Sequence, residues 1–477
     1  MASASTGGAP AQLGRLFAVP NLERGWNLRD KSWLPLTVNS LINSGRISKP
    51  ATAKRRIMNK RQFLRRTRDL AAFASLGGVP SALLTSLDAQ TVNSSSAPRD
   101  NRVARVTATA VNVPCDYVAG SYKRPIRMGG VVAEVETADG LTGHGFTSII
   151  NDQIVVPAIR DLIAPYLKGK DAMAREMISE DLYWRMTPRG QSGHVVQALA
   201  AVDCALWDIA GKRYNEPIWR LLGGARNEVR VYTTCGQNFL TRDELAQSAR
   251  DMVKSGLPRL KMVVASGAAD IDRANKSIEA ILSEDVARVR VMREAAGPEA
   301  SVSIDANQSL DEYQARHFAR QIADYNIGFF EEPLRANDVE RLAEFRRQAP
   351  MPIAAGQNET KLSRWRDMLE NNAVDLLQLN VCMGGGFTAA VKVAGMAQAF
   401  GVPIANAGAY SNFNMHLHAG VANGGLCEWH LSAVAMCRVL YKGAPELTGG
   451  DRIVLPKTPG LGFELNRDAM KDFAAKS

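Results

Sequence analysis

The segment Pro352–Thr360 reads PIAAGQNET, a short apolar run that ends in polar residues. A run of this kind, bounded by proline and glycine, is typical of a buried β-strand whose end opens onto a site. The segments GFFEEP (328–333) and SVSIDAN (301–307) have the same form earlier in the chain. The repetition predicts successive parallel strands that each lead into a helix.

The pattern extends in both directions from these three segments. From residue 229 onward, apolar strands alternate with amphipathic stretches such as DEYQARHFARQIADY (311–325). The eight expected strands are VRVYTTCG, RLKMVV, SVSIDAN, GFFEEP, PIAAGQ, LLQLN, PIANA and LCEWH. Eight strands that alternate with helices favour a closed parallel barrel over residues 228–439, and an open doubly wound sheet is the alternative.

A different kind of structure is expected before the barrel. The segment VVAEVETADGLTGHGFTS (131–148) has the form of an antiparallel hairpin with Asp139-Gly140 at its turn. A helical region over 195–224 follows, so residues 104–227 are predicted to form an α+β domain. The Pro/Gly-rich C-terminal segment, 440–477, is expected to complete this domain.

The positive charge of the chain lies almost wholly in its first part. The 477 residues carry a net charge of +10, but residues 1–103 contain 16 basic and 5 acidic residues, against 42 and 43 in the remainder. The nearly neutral body argues against a nucleic-acid partner. The sequence also contains no apolar run of 18 residues, so no membrane-spanning helix is expected.

Residues 1–103 are interpreted as a disordered leader that contains an export signal. Met58 is followed by NKRQFLRR (59–66) and by a weakly apolar run. This arrangement resembles a twin-arginine signal in which Lys60-Arg61 replaces the arginine pair. Periplasmic export is the expected localisation, and the cytoplasm is the alternative.

Three oxygen-bearing side chains end consecutive strands at equal spacing. Asp305, Glu331 and Gln357 follow one another at intervals of 26 residues. The catalytic groups of a parallel barrel lie at these strand ends, and Asn307 shares a strand face with Asp305. Carboxylate and amide oxygens suit a hard divalent cation, so a Mg²⁺ site is expected here.

The combination of motifs resembles the enolase superfamily, in its mandelate racemase/muconate lactonizing branch. The resemblance covers roughly residues 104–470 and includes AAVDCALWDIAGKRYNEPIWRLLGG (200–224), MGGGFT (383–388) and NMHLHAG (414–420). It implies an α/β fold in which an α+β N-terminal capping domain precedes a modified TIM barrel, (β/α)7β. It also implies Mg²⁺-dependent abstraction of the proton α to a substrate carboxylate, and a homo-oligomer.

The resemblance further implies a Lys-x-Lys pair at the second strand end, where this sequence has Arg259-Leu260-Lys261. Arg259 and Lys261 should share a strand face. A neighbouring guanidinium and a divalent cation would both lower the pKa of a lysine toward neutrality. Lys261 is therefore the expected base, with Arg259 as its tuner or as a carboxylate clamp; the alternative is a lysine that merely pairs with carboxylates.

Three positions depart from the family pattern. Gln357 stands where a glutamate ligand is usual, and Glu359 could replace it as a ligand. Asn380 and Ala407 stand where racemases of the family carry an aspartate and a histidine, and neither can exchange a proton. A one-sided reaction, the dehydration of a sugar acid or hydroxy acid, is therefore expected. The alternatives are a racemase or epimerase and a non-catalytic carboxylate-binding protein.

Further residues are expected to contact a small carboxylate substrate. Glu428, at the end of the eighth strand, matches a family carboxylate that bonds to the substrate or the intermediate. The remaining members of the predicted substrate-binding set are Asn307, Asn380, Tyr410 and His418. The loop over 114–127 is expected near the barrel mouth, and the Gly-rich MGGGFT turn is interpreted as a close-packing element.

Overall fold

Three long antiparallel strands begin the described part of the chain. They are β1 (Val103–Ala119), β2 (Tyr122–Thr137) and β3 (Thr142–Thr147), in the order β1-β2-β3. The turn between β2 and β3 contains Gly140 at φ +84°, a conformation that favours glycine. The hairpin predicted from Asp139-Gly140 is confirmed.

The computed structural model describes residues 99–148, 152–265 and 276–475. The predicted export signal near Met58 and all but the last residues of the leader lie outside these ranges, so the localisation stays a prediction. Within the described ranges, no helix is long and apolar enough to cross a membrane.

The helices of the first domain cover one face of this sheet. Short helical turns follow β3, and they are Asp152–Ile154, Val155–Pro157, Ala158–Ile163 and Ala164–Leu167. The longer helices are α1 (Arg175–Arg185), α2 (His194–Tyr214) and α3 (Ile218–Leu221). Helix α2 lies directly on β3, because a Cβ at Gly145 would overlap the carbonyl oxygen of Ala201.

The eight predicted barrel strands are all present. They are β4 (Glu228–Gly236), β5 (Arg259–Val263), β6 (Ser301–Asp305), β7 (Ile327–Glu331), β8 (Ile353–Ala355), β9 (Leu376–Leu379), β10 (Ile404–Asn406) and β11 (Cys427–His430). Neighbours from β4 to β10 pair in parallel and in chain order. The barrel closes because β11 pairs with β4, and the Asn406 amide donates to the Leu426 carbonyl at 2.8 Å. The open-sheet alternative is therefore wrong.

Helices alternate with these strands. They are α4 (Arg242–Lys254), α5 (Ile278–Ala296), α6 (Glu312–Gln321), α7 (Val339–Gln348), α8 (Leu362–Glu370), α9 (Gly386–Ala399), α10 (Ser411–Gly420) and α11 (Leu431–Leu440). Inside the barrel, an apolar cluster of Tyr232, Phe329 and Ala354 forms a floor, with Leu376 and Leu426 packed against it. The polar groups at the mouth therefore lie above an apolar layer of side chains.

The C-terminal segment returns to both domains. It contains β12 (Tyr441–Lys442), β13 (Leu447–Thr448), β14 (Arg452–Val454), β15 (Glu464–Leu465) and α12 (Arg467–Asp472). Strand β14 pairs with β4 of the barrel, whereas the Ala475 amide donates to the Ala110 carbonyl of β1 at 2.8 Å.

One buried carboxylate joins the first domain to the barrel. Asp203 of α2 accepts hydrogen bonds from the amide and the hydroxyl of Thr388 at 3.0 and 2.6 Å, at the start of α9. A Cβ at Gly386 would overlap the Asp203 carboxylate, so the MGGGFT turn serves close packing, as predicted. Burial raises the pKa of Asp203 to about 6 despite these hydrogen bonds.

The raised pKa makes the contribution of Asp203 to stability dependent on pH. It should be fully present below the ordinary aspartate pKa of about 4 and be lost as the pH rises through about 6. We expect the difference in unfolding free energy between the wild type and Asp203→Asn to fall from pH 4 to pH 6 and then level off. Urea unfolding at several pH values measures it. The exposed Asp468→Asn variant should follow the wild type, and a constant difference for Asp203→Asn would contradict the assignment.

Candidate active site

The strand register defines the layer of side chains at the barrel mouth. Val263, Asp305 and Glu331 are register partners across β5, β6 and β7. Lys261 pairs with Ser303, two positions below this layer along each strand. The strand-end position on β5 is therefore held by the aliphatic Val263.

The ammonium of Lys261 joins three carboxylates. Its Nζ lies 3.1 Å from Asp305 Oδ2, 2.7 Å from Glu331 Oε2 and 3.0 Å from Glu428 Oε1. All four side chains are almost completely buried. The structure thus brings Lys261 together with two predicted metal ligands and one predicted substrate-binding residue.

This arrangement holds Lys261 as a cation. Burial lowers its pKa, but Glu331, Glu428 and Asp305 outweigh burial and raise it well above its ordinary value. The three N–H bonds of the ammonium match the three carboxylates in number. To act as a base, Lys261 would first have to lose a proton, and these three carboxylates oppose that loss.

The predicted role of Arg259 beside Lys261 is wrong. Arg259 begins β5 and forms an ion pair with Asp451 of the C-terminal segment. Its register partner is Ser301, the first residue of β6, so it lies at the opposite end of the strands from Asp305. Arg259 lies two positions before Lys261 in β5, and the rise along the strand places the Arg259 guanidinium at the bottom of the barrel.

Gln357 is oriented by a second buried carboxylate, Glu332. The Gln357 amide nitrogen donates to Glu332 Oε2 at 3.1 Å, and Asn358 donates to the same oxygen at 2.7 Å. Asn337 and Gln308 donate to the other oxygen at 2.9 and 3.1 Å. Because its nitrogen is committed to Glu332, the amide turns its oxygen away from that carboxylate.

The polar atoms that remain fit a hard divalent cation. Glu331 Oε1 and Gln357 Oε1 are buried, and neither has a hydrogen-bond partner among the described residues. A Cβ at Gly408 would come within 2.9 Å of Gln357 Oε1, so glycine keeps this oxygen uncovered. Burial, followed by the negative charge of Asp305, raises the pKa of Glu331, and the adjacent Lys261 ammonium offsets only part of this rise.

The other predicted donors behave differently. Within the described ranges, no three carboxylate, imidazole or thiol side chains form a metal-binding group, and the buried Gln357 Oε1 without a partner is the candidate third donor. The alternative ligand Glu359 instead forms an ion pair with Arg364 at 3.1 Å. Asn307 donates from its backbone and side chain to Asp305 Oδ1, each at 2.8 Å, and so orients that predicted ligand.

Glu428 is held by an ion pair and two hydrogen bonds. Its Oε1 forms the ion pair with Lys261 and accepts from the Thr234 hydroxyl, and its Oε2 accepts from the Ala409 amide at 2.6 Å. Burial alone would raise the pKa of Glu428, but Lys261 and these hydrogen bonds lower it. Glu428 is therefore a fixed anion at the interior of the barrel.

The substrate-binding role predicted for Asn380 requires correction. Its amide nitrogen donates to the carbonyls of Ala407 and Gly408 at 2.7 and 2.9 Å, and its oxygen accepts from the Cys382 amide at 2.9 Å. The oxygen end of the side chain holds the turn after β9, and the nitrogen end holds the loop after β10. This loop in turn presents the Ala409 amide to Glu428.

The prediction for His418 is also wrong. Its Nδ1 accepts from the Gly425 amide at 3.1 Å, and its carbonyl accepts from Arg226, which precedes β4. These contacts place His418 near the N-terminal ends of the strands, away from the mouth. Burial lowers the pKa of His418 to about 3, as for a neutral core residue.

Tyr410 lies where the first domain meets the barrel. It precedes α10 in a left-handed conformation, and its ring packs on Phe146 of β3 with 4.9 Å between centroids. The β1–β2 hairpin also reaches this end of the barrel, since Arg124 stacks on Phe239 at 4.4 Å, just after β4. The segment predicted as a loop over 114–127 is thus mostly paired strand.

His430 is not among the site residues predicted from the sequence. This residue ends β11 two positions after Glu428, and alternation along a strand places both on one face. The same rule that paired Asp305 with Asn307 would have found it.

The contact between Glu332 and Gln357 generates a test. Glu332→Gln cannot accept from four donors at once, so the Gln357 amide should lose its fixed orientation. We expect the affinity for Mg²⁺ to fall about 10- to 100-fold, the usual effect of losing a residue that orients a ligand. Isothermal titration calorimetry measures it, with Glu359→Gln as the matched control that keeps wild-type affinity. The reverse result for the two variants would identify Glu359 as the ligand.

Comparisons with known proteins agree with this architecture. Residues 104–223 match the family model for the mandelate racemase/muconate lactonizing enzyme N-terminal domain, and residues 244–469 match the enolase C-terminal domain-like model. Together these matches span most of the chain.

Named relatives are enzymes. The chain is 28% identical to an arabinonate dehydratase from Saccharolobus solfataricus over 80% of this chain and 100% of the relative. It is 30% identical to an L-rhamnonate dehydratase from Saccharopolyspora erythraea over 71% and 84%. A racemase from Streptomyces coelicolor A3(2), solved with bound magnesium, superposes with a TM-score of 0.68 at 26% identity, over 78% of this chain and all of that chain. The protein is therefore an enzyme of the enolase superfamily and belongs to its mandelate racemase/muconate lactonizing branch.

Proposed function

We propose that this enzyme is a Mg²⁺-dependent dehydratase of a sugar acid. The observation that carries the proposal is the convergence of Asp305, Glu331 and Lys261 at the barrel mouth, with Glu331 Oε1 and Gln357 Oε1 buried without partners. The names of the two dehydratase relatives support the substrate class and the loss of water.

Asp305, Glu331 and Gln357 would hold the Mg²⁺ ion. Bound there, Mg²⁺ would stabilise the negative charge that develops on a substrate carboxylate as the α-proton leaves. The residues behind these donors fix their geometry: Asn307 orients Asp305, and Glu332 orients Gln357. Lys261 adds a fixed positive charge and holds Glu428 in the same cluster.

Space beside the site suits a polyhydroxylated acid. A cavity of about 950 Å³ lies next to the loop that follows Gln357. Its lining includes the charged residues Asp338, Lys361 and Arg364, at the end of the barrel where the strands terminate. Side chains of this kind can hydrogen-bond the hydroxyl groups of a sugar acid.

The arrangement favours elimination over two-base racemisation. Asn380 and Ala407 replace the aspartate and histidine expected in racemases, and Asn380 is committed to the loop after β10. No proton-exchanging group therefore comes from these two strand positions.

A substrate panel tests the proposal. Wild-type enzyme with Mg²⁺ should convert at least one aldonic or aldaric acid to a 2-keto product, which semicarbazide detects. Chelation should abolish the reaction, and Mg²⁺ should restore it. Glu331→Gln should lower the rate at least 100-fold, because one anionic donor is lost, whereas the exposed Asp468→Asn variant should keep it within about threefold.

The other outcomes identify the alternatives. A change of configuration at the α-carbon without a 2-keto product would indicate a racemase or epimerase. Binding of the acids without α-proton exchange in D₂O would contradict catalysis on this panel.

A further inference from the structure

His430 shares the interior face of β11 with Glu428. The Glu428 carboxylate faces inward, because it contacts Lys261 at 3.0 Å. Residues two apart on a strand point to the same side, so the His430 imidazole also faces inward. It lies two positions nearer the mouth than Glu428. Trp429, between them, faces the other way.

The neighbouring strand gives the same orientation independently. His430 is the register partner of Thr234 on β4. Partners on adjacent parallel strands point to the same side of the sheet. The Thr234 hydroxyl donates to Glu428 inside the barrel, so its partner His430 also faces the interior.

The state of the ring suits proton transfer. His430 is partly exposed, yet its Nδ1 is buried and has no hydrogen-bond partner in the part of the chain that the structure describes. Glu428 and Asp305 favour the charged ring, whereas burial and Lys261 oppose it. Burial is the largest of these effects and lowers the pKa of His430, so the ring is a neutral acceptor at pH 7.

The other imidazoles of the chain lie elsewhere. His144 and His194 belong to the first domain, and His317 is exposed on α6. His416 and His418 are buried on α10, where His416 Nε2 contacts the Leu461 carbonyl at 3.0 Å. His430 is thus the imidazole that ends a barrel strand.

His430 also lies on the same side of the barrel as Lys261. Strand β11 pairs with β4, and β4 pairs with β5. The ammonium of Lys261 is matched by three carboxylates, whereas the imidazole of His430 has a nitrogen without a partner among the described residues.

We propose that His430 is the catalytic acid–base group of this enzyme, and that it carries the α-proton of the sugar acid to the departing β-hydroxyl on the same face. This assignment rests on the proposed function. It replaces Lys261 as the base and leaves that residue as a fixed positive charge.

The step balances in protons and electrons. The neutral imidazole accepts the proton from C2, and the electrons of the C–H bond pass into the carboxylate. They return to form the C2–C3 double bond as the C3–O bond breaks, and the imidazolium protonates the leaving hydroxide to give water. The ring regains its neutral form, and the enol product becomes a 2-keto acid without any oxidant or reductant.

The test compares His430→Ala with wild type on a sugar acid that the wild-type enzyme dehydrates, in the full chain with Mg²⁺. We expect the rate to fall about 10²- to 10⁴-fold, the range for loss of a general acid–base group. The affinity for Mg²⁺ should stay within about twofold, because His430 is not among the proposed ligands. Added imidazoles should restore part of the rate, more so with increasing basicity. His317→Ala is the matched control and should keep wild-type activity.

Each other outcome overturns a defined part of the proposal. If the wild type and the His430→Ala variant are equally active, the catalytic role of His430 is excluded, but the proposed function of the enzyme stands. A structural role would be indicated by two results together. Imidazoles would fail to rescue the slow His430→Ala variant, and the His430→Gln variant would keep most of the wild-type rate. His430→Gln also replaces His430→Ala in the rate comparison if the alanine variant does not fold. A wild type without turnover on the whole panel would overturn the proposed function and the role of His430 with it.

Discussion

The ammonium of Lys261 holds together the carboxylates on which this site depends. Asp305, Glu331 and Glu428 come from three different strands, and all three lie within 3.1 Å of one Nζ. Burying charges is costly unless they are paired, and loss of one partner leaves the others uncompensated. The cluster can exist only because β11 returns to β4 and closes the barrel. Three carboxylates against one ammonium still leave negative charge in excess, which is the electrostatic condition for binding a divalent cation.

The amide at position 357 becomes understandable once Glu332 is considered. A glutamate at 357 would place a second carboxylate against Glu332, and like charges in contact cannot both remain ionised when buried. The amide avoids this conflict, since its nitrogen donates to Glu332 and its oxygen remains available as a donor to a metal. The negative charge is thus kept next to the site, but it is carried by Glu332, which contacts Gln357 rather than the metal position.

The strands that would carry a racemase dyad have taken on a structural task. Asn380, Asn406 and Asn414 hydrogen-bond the loop after β10, each contributing its side-chain amide to the carbonyl of Ala409. This loop directs the Ala409 amide at Glu428. The proton-transfer capacity missing from β9 and β10 is supplied, in our proposal, by His430 at the end of β11. A single group on one face is suited to elimination, whereas inversion of configuration needs groups on two faces.

The sequence by itself determined the strands, their order and the residues at their ends. The regular spacing of Asp305, Glu331 and Gln357 reflects one strand–helix unit. Alternation along a strand meant that only one of Glu331 and Glu332 could face inward, and the spacing selected Glu331. These are local properties, because each depends only on residues a few positions apart. Position along the barrel axis is not local. Arg259 and Lys261 are two positions apart and so belong to one face of the strand, as predicted. Only the register with β6 showed that Arg259 lies at the bottom of the barrel and Val263 at the mouth. Likewise, NMHLHAG offered histidines near a strand end, and only the packing of α10 placed His418 at the other end of the barrel. Which side chains meet was decided by the tertiary structure, since register and closure bring together residues that are far apart in the chain.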